Sequence, residues 1–145
     1  MDDTIREAIL ARVAAEPFAE KMNLTVTTLE AGRAVVEMPC AAEMDNLFGM
    51  THGGAIFSLM DEAFQLACNS HGTVAVALNV SVTYYVPPDK GTTLRAEATE
   101  QHRSRRTGSY RISVTDDAGR TIAACQALAY RTGKPLPFLA GNDPS

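Results

Sequence analysis

One long, mostly apolar helix is the feature of this sequence that most restricts its fold. Residues 54–69 repeat apolar side chains at helical spacing over a wide face, and a narrow polar stripe lies opposite, formed by Ser58, Asp61, Glu62, Gln65 and Asn69. The residues that follow alternate with the period of two that is typical of strands. Because two hairpins alone cannot bury so wide a face, the sequence predicts an α+β fold in which an antiparallel sheet wraps around one long central helix.

The other predicted elements are short. Residues 3–15 carry apolar positions at helical spacing and predict a short amphipathic N-terminal helix that Pro17 ends. Residues 24–30 and 33–38 predict a hairpin. A further strand with one buried face is predicted at 74–86. The last three strands, at 93–101, 108–115 and 120–131, would form an antiparallel meander.

Length, charge and cysteine content exclude several classes of protein. The 145 residues suffice for one domain, residues 1–145, with a flexible tail expected at 133–145. The net charge of -4 does not provide the basic field that binds nucleic acid or anionic membranes. The longest apolar run is only 74–78, and the first residues are acidic where a secretory signal would be basic, so we expect a cytoplasmic protein. Three cysteines without CxxC spacing predict free thiols and no metal site.

Candidate catalytic residues lie in and just before the start of the central helix. Asn46 stands in a polar loop, His52, Gly53 and Gly54 open the helix, and Asp61 lies two turns into it. A helix N-terminus exposes free N–H groups and the positive end of its dipole, and glycines let a ligand oxygen approach them. The glycines therefore either form an oxyanion site or only permit a tight turn and close packing. Asp61 is either a nucleophile or general base, or a solvated acid.

The stretch from Asn46 to Asp61, N-L-F-G-M-T-H-G-G-A-I-F-S-L-M-D, resembles the signature of a known family. That family is the PaaI-like group of hotdog-fold acyl-CoA thioesterases, the thioesterase group of the phenylacetate pathway. The resemblance continues through Tyr84, the Arg-Arg-Thr-Gly-Ser-Tyr run and residues 123–130, and so covers most of the chain. It implies the hotdog fold, with the sheet as the bun and the central helix as the sausage. It also implies a thioester hydrolase without a metal or other cofactor, coenzyme A being part of the substrate.

The resemblance assigns roles to the loop and the helix. It favours the Gly53 N–H as an oxyanion donor and Asp61 as nucleophile or general base, while Glu62 is expected to be solvated. Asn46 either holds the Asp61 carboxylate or the attacking water, as the matching Asn does in relatives, or forms an Asx turn in the loop. His52 is expected to serve the site by fixing the loop through hydrogen bonds to backbone, and not as a general base.

Spacing along the central helix predicts a site that two chains share. Gly53 and Asp61 are eight residues apart, about 12 Å at about 1.5 Å per residue, whereas both must come within about 3 Å of one thioester carbonyl. Two antiparallel helices across a twofold axis would place Gly53 of one chain opposite Asp61 of the other. The resemblance implies the same homodimer, with two sheets joined into one, and pairing of dimers into homotetramers.

A basic turn is the candidate site for coenzyme A. Residues 102–108 concentrate arginines in an acidic protein, and guanidinium groups match phosphate oxygens; the alternative is a solvated hairpin tip. On strand 74–86 the residues Ala77, Asn79, Ser81 and Thr83 share one face. Relatives place a Ser or Thr there to hold water, and Ala77 at the matching position leaves that role unassigned. The expected contacts with substrate or coenzyme A are Gly54, Asn79, Lys90, Arg103, Arg105, Arg106, Thr107 and Gly108.

Taken together, these features predict an acyl-CoA thioesterase that releases a carboxylic acid and coenzyme A. The family leans toward aromatic acyl groups, so phenylacetyl-CoA, hydroxyphenylacetyl-CoA or a medium-chain acyl-CoA is the expected substrate. An acyl pocket, or alternatively plain core, is expected from Phe48, Met50, Phe57, Met60 and Phe64. Two other functions stay open: a hotdog enoyl-thioester hydratase or dehydratase, and a non-catalytic acyl-CoA-binding protein. Release of free thiol from acyl-CoA separates a thioesterase from both.

Overall fold

Three α-helices and six strands make up residues 1–139, the part of the chain that the computed structural model describes. The helices are α1 (Asp3–Val13), α2 (Pro17–Lys21) and α3 (Gly53–Asn69), and a 3₁₀ turn lies at Ala42–Met44. The strands are β1 (Thr25–Glu30), β2 (Arg33–Pro39), β3 (Thr73–Tyr84), β4 (Thr93–Arg103), β5 (Thr107–Thr115) and β6 (Thr121–Pro135). Apart from α2 and the 3₁₀ turn, their order is the one that the sequence predicts.

All six strands pair antiparallel in one sheet, in the order β1-β2-β4-β5-β6-β3. Strands β4, β5 and β6 are neighbours, which confirms the predicted meander. Helix α3 packs against β2, β3, β4 and β5. A sheet wrapped around one long helix, with a short helix at the N-terminus, confirms the predicted α+β class.

The central helix supplies much of the core. Leu59, Met60 and Phe64 are at most 2 % exposed, and the Phe64 ring centroid lies 5.5 Å from that of Tyr110 on β5. Complete burial of a side chain of this size stabilises a fold by about 1.5–3 kcal/mol. Met60 and Phe64 are therefore core residues, one of the two alternatives expected for them. Phe48, by contrast, is 74 % exposed in the loop before the helix.

Two boundaries differ from the sequence prediction. Pro17 does more than end the first helix, because it is an N-terminal residue of α2, where its missing N–H costs no hydrogen bond. The flexible tail was expected too early, since β6 continues to Pro135. Leu136 is 3 % exposed, and its N–H donates to the Gly72 carbonyl at 3.1 Å. The last part of the predicted tail, residues 140–145, lies outside the described residues.

Strand β3 is at an edge of the sheet, which changes its burial. The prediction of one continuous buried face was wrong, because Val76 is 50 % and Leu78 is 57 % exposed. Val74 at the start of the strand and Val80 and Val82 further along pack against the core, so the exposed pair interrupts the face. An edge strand of 12 residues that exposes apolar side chains is open to pairing with a strand of another chain.

A β-bulge at Leu78 overturns the expectation that Ala77 and Asn79 share a face. Ala77 lies opposite Ala129 of β6, and Asn79 lies opposite the next residue, Leu128. Ala129 is buried on the inner face of the sheet, whereas Leu128 is exposed on the outer face. Asn79 is therefore on the outer face, away from α3, and its expected contact with substrate is not supported within one chain.

The three cysteines are free thiols, as expected. Cys40 is half-buried, and Cys68 and Cys125 are buried. Burial raises the pKa of the Cys68 thiol to about 12 and that of Cys125 to about 11, so both are packed as small neutral side chains. In residues 1–139, none of the helices combines the length and the apolar character needed to span a bilayer.

Candidate active site

Helix α3 begins at Gly53 and presents one free amide there. His52 is the N-cap, and its Nδ1 accepts a hydrogen bond from the Gly54 N–H at 2.8 Å. A Cβ at Gly54 would lie 3.0 Å from that Nδ1, so a larger residue here would crowd the cap and push the imidazole aside by a few tenths of an ångström. Within residues 1–139 the Gly53 N–H has no acceptor. His52 thus fixes the loop through backbone, Gly54 is occupied by the cap, and Gly53 is the donor left for a ligand oxygen.

Tyr84 fixes the backbone of Gly53 and was not singled out as a site residue from the sequence. Its hydroxyl donates to the Gly53 carbonyl at 3.0 Å. Both residues line a cleft of about 260 Å³, together with Asn46, Met50 and Thr51. Tyr84 lies at the end of an edge strand, and no local pattern in the sequence places it beside a helix start. The cleft makes Gly53 accessible to a ligand from outside the chain.

Asn46 closes the loop that precedes the helix. Its Oδ1 accepts from the Phe48 N–H at 2.9 Å and from the Met50 N–H at 3.2 Å, which is the Asx-type turn that was one of the two expectations for it. The Nδ2 group of Asn46 has no acceptor within residues 1–139, and the residue lines the same cleft as Gly53. The turn therefore leaves an amide donor free for a carboxylate or a water.

Asp61 is exposed on the polar stripe of α3, well away from Gly53 of its own chain. The two residues are eight positions apart, which corresponds to about 12 Å along the helix. The pKa of Asp61 is raised, first by desolvation from the surrounding protein and then by the negative charge of Glu16. A single chain does not bring the free amide and the carboxylate to one reacting carbonyl.

Glu62, expected to be solvated, is buried. Only 4 % of it is exposed, its Oε2 accepts from the Gln65 amide at 3.0 Å, and its Oε1 has no partner within residues 1–139. The same Gln65 amide donates to Glu16 at 2.9 Å. Burial and, next, the charge of Glu16 raise the pKa of Glu62 to about 7. The prediction was wrong because the segment between α1 and α2 covers this side of the helix, which the helical pattern alone does not reveal.

Replacing this buried acid by its amide, Glu62→Gln, should remove a pH-dependent loss of stability. An unfolded Glu ionises near 4.5, whereas the folded one ionises near 7. Ionisation of Glu62 therefore does not lower the free energy of unfolding below about pH 4.5. Between about pH 4.5 and pH 7 it lowers this free energy by up to about 3 kcal/mol, and above pH 7 the loss is constant. We expect the wild type to lose more unfolding free energy than Glu62→Gln between pH 4.5 and pH 8, measured by urea unfolding.

An exposed glutamate on α1 provides the matched control. Glu7→Gln removes the same charge at an exposed position and should leave the pH dependence of unfolding as in the wild type. Parallel stability curves for the wild type and Glu62→Gln across this pH interval would contradict the burial of an ionisable Glu62.

The basic turn between β4 and β5 lies at the opposite end of the folded domain from Gly53. Tyr84, which contacts Gly53, is the last residue of β3, whereas Ala75 near its start pairs with Arg131 of β6. Nine residues of strand separate those two positions, about 30 Å. Arg131 holds the turn, since its Nη1 donates to the Ser104 carbonyl at 2.6 Å. The turn and the free amide therefore cannot bind one small group within a single chain.

Arginines of this turn line a second depression. Arg105, Arg106 and Arg131 surround a space of about 270 Å³, and within residues 1–139 neither Arg105 nor Arg106 pairs with a carboxylate. Arg103 instead pairs with Glu100 at 3.4 Å. Arg131 was missed by sequence reasoning because only the pairing of β5 with β6 brings it to the turn. Because none of the three guanidinium groups that surround it pairs with a carboxylate in residues 1–139, the depression is suitable for phosphate.

Lys90, Thr107 and Gly108, three other expected contacts, do not line this depression. The Lys90 Nζ lies 4.0 Å from Asp45 at the Gly53 end, and the 11 residues of β4, roughly 35 Å, separate it from the turn. The sequence predicted that Lys90 joins the arginines. Within one chain it does not. Thr107 bonds within the turn, 3.0 Å from the Ser104 hydroxyl. Gly108 is buried, and a Cβ there would lie 2.9 Å from the Tyr110 ring, so its packing explains the glycine.

Comparison with known proteins places this geometry in a family. The model of the Thioesterase superfamily matches residues 48–123, from the loop before α3 to the start of β6. The chain is 36 % identical to the acyl-coenzyme A thioesterase PaaI of Escherichia coli over 115 residues, 79 % of this chain and 82 % of that protein. The solved structure of the E. coli PaaI protein from the phenylacetic acid degradation operon superposes with a TM-score of 0.87, covering 92 % of this chain and 96 % of that one at 32 % identity.

A second solved structure contains a ligand. It is smu.793 of Streptococcus mutans bound to acetyl CoA, with a TM-score of 0.75, 29 % identity and coverage of 79 % of this chain and 92 % of that one. The fold, the match of the family model and the relatives named as acyl-CoA thioesterases agree with one another. The chain belongs to the thioesterase superfamily and is a PaaI-like hotdog thioesterase, a thioester hydrolase acting on acyl-CoA.

Proposed function

We propose that the protein hydrolyses acyl-CoA thioesters with aromatic or medium-chain acyl groups, at sites that two copies of the chain share. The observation that carries this proposal is the separation of the two candidate groups. Gly53 presents a free amide in a cleft, and Asp61 presents a carboxylate of raised pKa about 12 Å further along the same helix. Each chain thus offers half of a site for acyl transfer.

Strand β3 supplies the surface for pairing two chains. It is the long edge of the sheet, and it exposes Val76 and Leu78. Antiparallel pairing of two such edges would join the sheets into one and set the two α3 helices side by side in opposite directions. Gly53 would then face Asp61 of the partner subunit, at two equivalent sites. Assembly of such dimers into tetramers remains a prediction of the family resemblance.

The proposed chemistry needs only groups of the protein and water. The thioester oxygen accepts a hydrogen bond from the Gly53 N–H, which stabilises the negative charge that develops when the carbonyl carbon is attacked. Either Asp61 of the partner subunit takes a proton from an attacking water, or its carboxylate attacks and water then hydrolyses the mixed anhydride. The carbon–sulfur bond breaks, and the sulfur leaves as coenzyme A thiol after it gains a proton. Asn46, through its free amide, would hold the carboxylate or the water.

Antiparallel pairing also gives the basic turn a place in the shared site. The turn lies by the start of β3 and Gly53 by its end, so pairing would bring the arginines of one chain beside Gly53 of the other. Asp61 and the arginines at a given site would then come from the same chain. Arg105, Arg106 and Arg131 suit the phosphates of coenzyme A. Lys90 would reach this patch only from the other chain.

A panel of thioesters tests the proposal. Acetyl-, hexanoyl-, phenylacetyl- and crotonyl-CoA are incubated with the protein, and thiol release is followed with a thiol-trapping dye. We expect kcat/KM to be highest for the phenylacetyl and hexanoyl thioesters. The same acyl groups on pantetheine lack the nucleotide phosphates, so their KM should rise by about tenfold or more, the value of one lost charge-assisted hydrogen bond.

Three outcomes would contradict parts of the proposal. Acetyl-CoA as the best substrate would contradict the aromatic or medium-chain preference. Equal KM values for the CoA and pantetheine thioesters would contradict binding of phosphate by the arginines. Loss of the enoyl absorbance of crotonyl-CoA without release of thiol would mark a hydratase and overturn the proposed reaction.

A further inference from the structure

A largely apolar cavity lies between α1, the second half of α3 and the segment that follows β6. Its volume is about 270 Å³, and its apolar wall consists of Ile9, Val13, Leu66, Val74, Leu136 and Phe138. It is distinct from the cleft at Gly53 and from the depression at the basic turn, and shares no lining residue with either. Neither the proposed chemistry nor the proposed binding of coenzyme A uses it.

The cavity begins one helical turn from the carboxylate of the proposed site. Asp61, Gln65 and Asn69 are spaced by four residues and lie on one face of α3. Gln65 and Asn69 line the cavity, about 6 Å and 12 Å from Asp61 along the helix axis. A thioester carbonyl held at Asp61 would therefore have its acyl substituent at the mouth of this cavity.

The polar residues of the wall are already engaged, which determines the chemistry of an occupant. The Asn69 amide accepts from the Ala75 N–H at 2.9 Å and donates to the Ala75 carbonyl at 3.1 Å. Glu16 also lines the cavity, and the Gln65 amide nitrogen donates to its carboxylate and to that of Glu62. The Arg12 guanidinium lies 5.9 Å from the centre of the Phe138 ring. With these groups engaged, the cavity favours hydrocarbon over a polar ligand.

Size distinguishes between acyl groups. A dry apolar cavity of about 150 Å³ holds benzene in another protein, so about 270 Å³ accommodates a phenyl ring with its linking carbons, or a medium-length alkyl chain. A two-carbon acyl group would leave it unfilled. We propose that this cavity is the acyl-binding pocket, provided by the same chain as Asp61, and that it selects aromatic and medium-chain acyl-CoA. This inference rests on the proposed function and names the residues that set its specificity.

Two substitutions with opposite effects on the cavity test the inference. Val74→Phe fills it from β3, and Phe138→Ala enlarges it at the far wall. With Val74→Phe we expect kcat/KM for phenylacetyl- and hexanoyl-CoA to fall by about tenfold or more, while that for acetyl-CoA stays within about twofold. With Phe138→Ala we expect the preference to shift toward longer acyl groups, such as decanoyl-CoA. Val26→Phe is the matched control, since Val26 does not line the cavity; it lines a neighbouring cleft between α1 and β1 that shares only Val13 with the cavity, and its replacement should not change the preference.

Each result decides between the inference and its alternatives. Equal loss on all substrates with Val74→Phe, or an unchanged preference in both variants, would overturn the pocket while leaving the hydrolysis of acyl-CoA by the wild type intact. Failure of the wild type to release thiol from any acyl-CoA would instead overturn the proposed function. If Val74→Phe does not fold, as judged by thermal unfolding, the shift with Phe138→Ala decides alone.

Discussion

A loss of turnover of roughly 10²–10⁴-fold is the expected result of Asp61→Asn. The amide has nearly the same shape as the carboxylate, but it neither attacks a carbonyl nor accepts a proton from water. Asp61 is exposed and makes no hydrogen bond within residues 1–139, so the variant should fold and bind coenzyme A like the wild type. Steady-state kinetics with phenylacetyl-CoA and thermal unfolding with and without coenzyme A measure both properties.

The pH profile separates a catalytic carboxylate from a structural one. Desolvation and Glu16 raise the pKa of Asp61, and only its ionised form acts as base or nucleophile. Wild-type kcat/KM should therefore fall as pH decreases, starting at a higher pH than an ordinary aspartate would give, and the residual activity of Asp61→Asn should lack this acidic limb. Asp61→Glu, which keeps a carboxylate, should retain more activity than Asp61→Asn. Near-normal hydrolysis by Asp61→Asn would refute the assignment.

Removal of one backbone N–H by Gly53→Pro is expected to lower kcat by about 10²–10³-fold. Gly53 is the first residue of α3, a position where proline suits the helix. The preceding His52 has φ -62 and ψ 135, a conformation that a following proline favours. The substitution thus deletes the proposed oxyanion donor with little disturbance of the helix, and a loss of this size is typical for one such donor.

Gly53→Ala is the matched control, because it adds a side chain but keeps the amide. A Cβ at this position would lie 3.4 Å from Cζ of the Tyr84 ring, an ordinary contact. We expect Gly53→Ala to retain most of its turnover with the same substrate. Equal activities of the proline and alanine variants, with both folded by circular dichroism, would remove the Gly53 N–H from the mechanism.

The sequence predicts the fold and its central helix well because their signals are local. A wide apolar face at helical spacing and period-two strands establish one helix within a sheet, and the Asn46 to Asp61 stretch indicates the family. Such local signals do not predict the burial of Glu62. It depends on Glu16, which contacts Gln65 of α3 although the two residues are 49 positions apart in the chain. A helical pattern states which side chains share a face and does not state what covers that face.

Contacts between distant parts of the chain were missed for the same reason. Tyr84 reaches Gly53 across 31 residues, and Arg131 reaches Ser104 across 27. The bulge at Leu78 exchanges the inner and outer faces for the second half of β3. Alternation alone therefore assigns Asn79 to the wrong face of the sheet. Pairing register and strand order determine these positions, and a single sequence does not specify either.

Complementation between two inactive chains tests the shared site most directly. In a heterodimer of one Asp61→Asn chain and one Gly53→Pro chain, purified through two different affinity tags, one site combines the intact Gly53 of the first chain with the intact Asp61 of the second. The other site carries both defects. We predict that this heterodimer recovers about half of wild-type kcat, one of the two equivalent sites of a twofold dimer, while both homodimers stay nearly inactive. A heterodimer as inactive as its parents would contradict a site built from two chains.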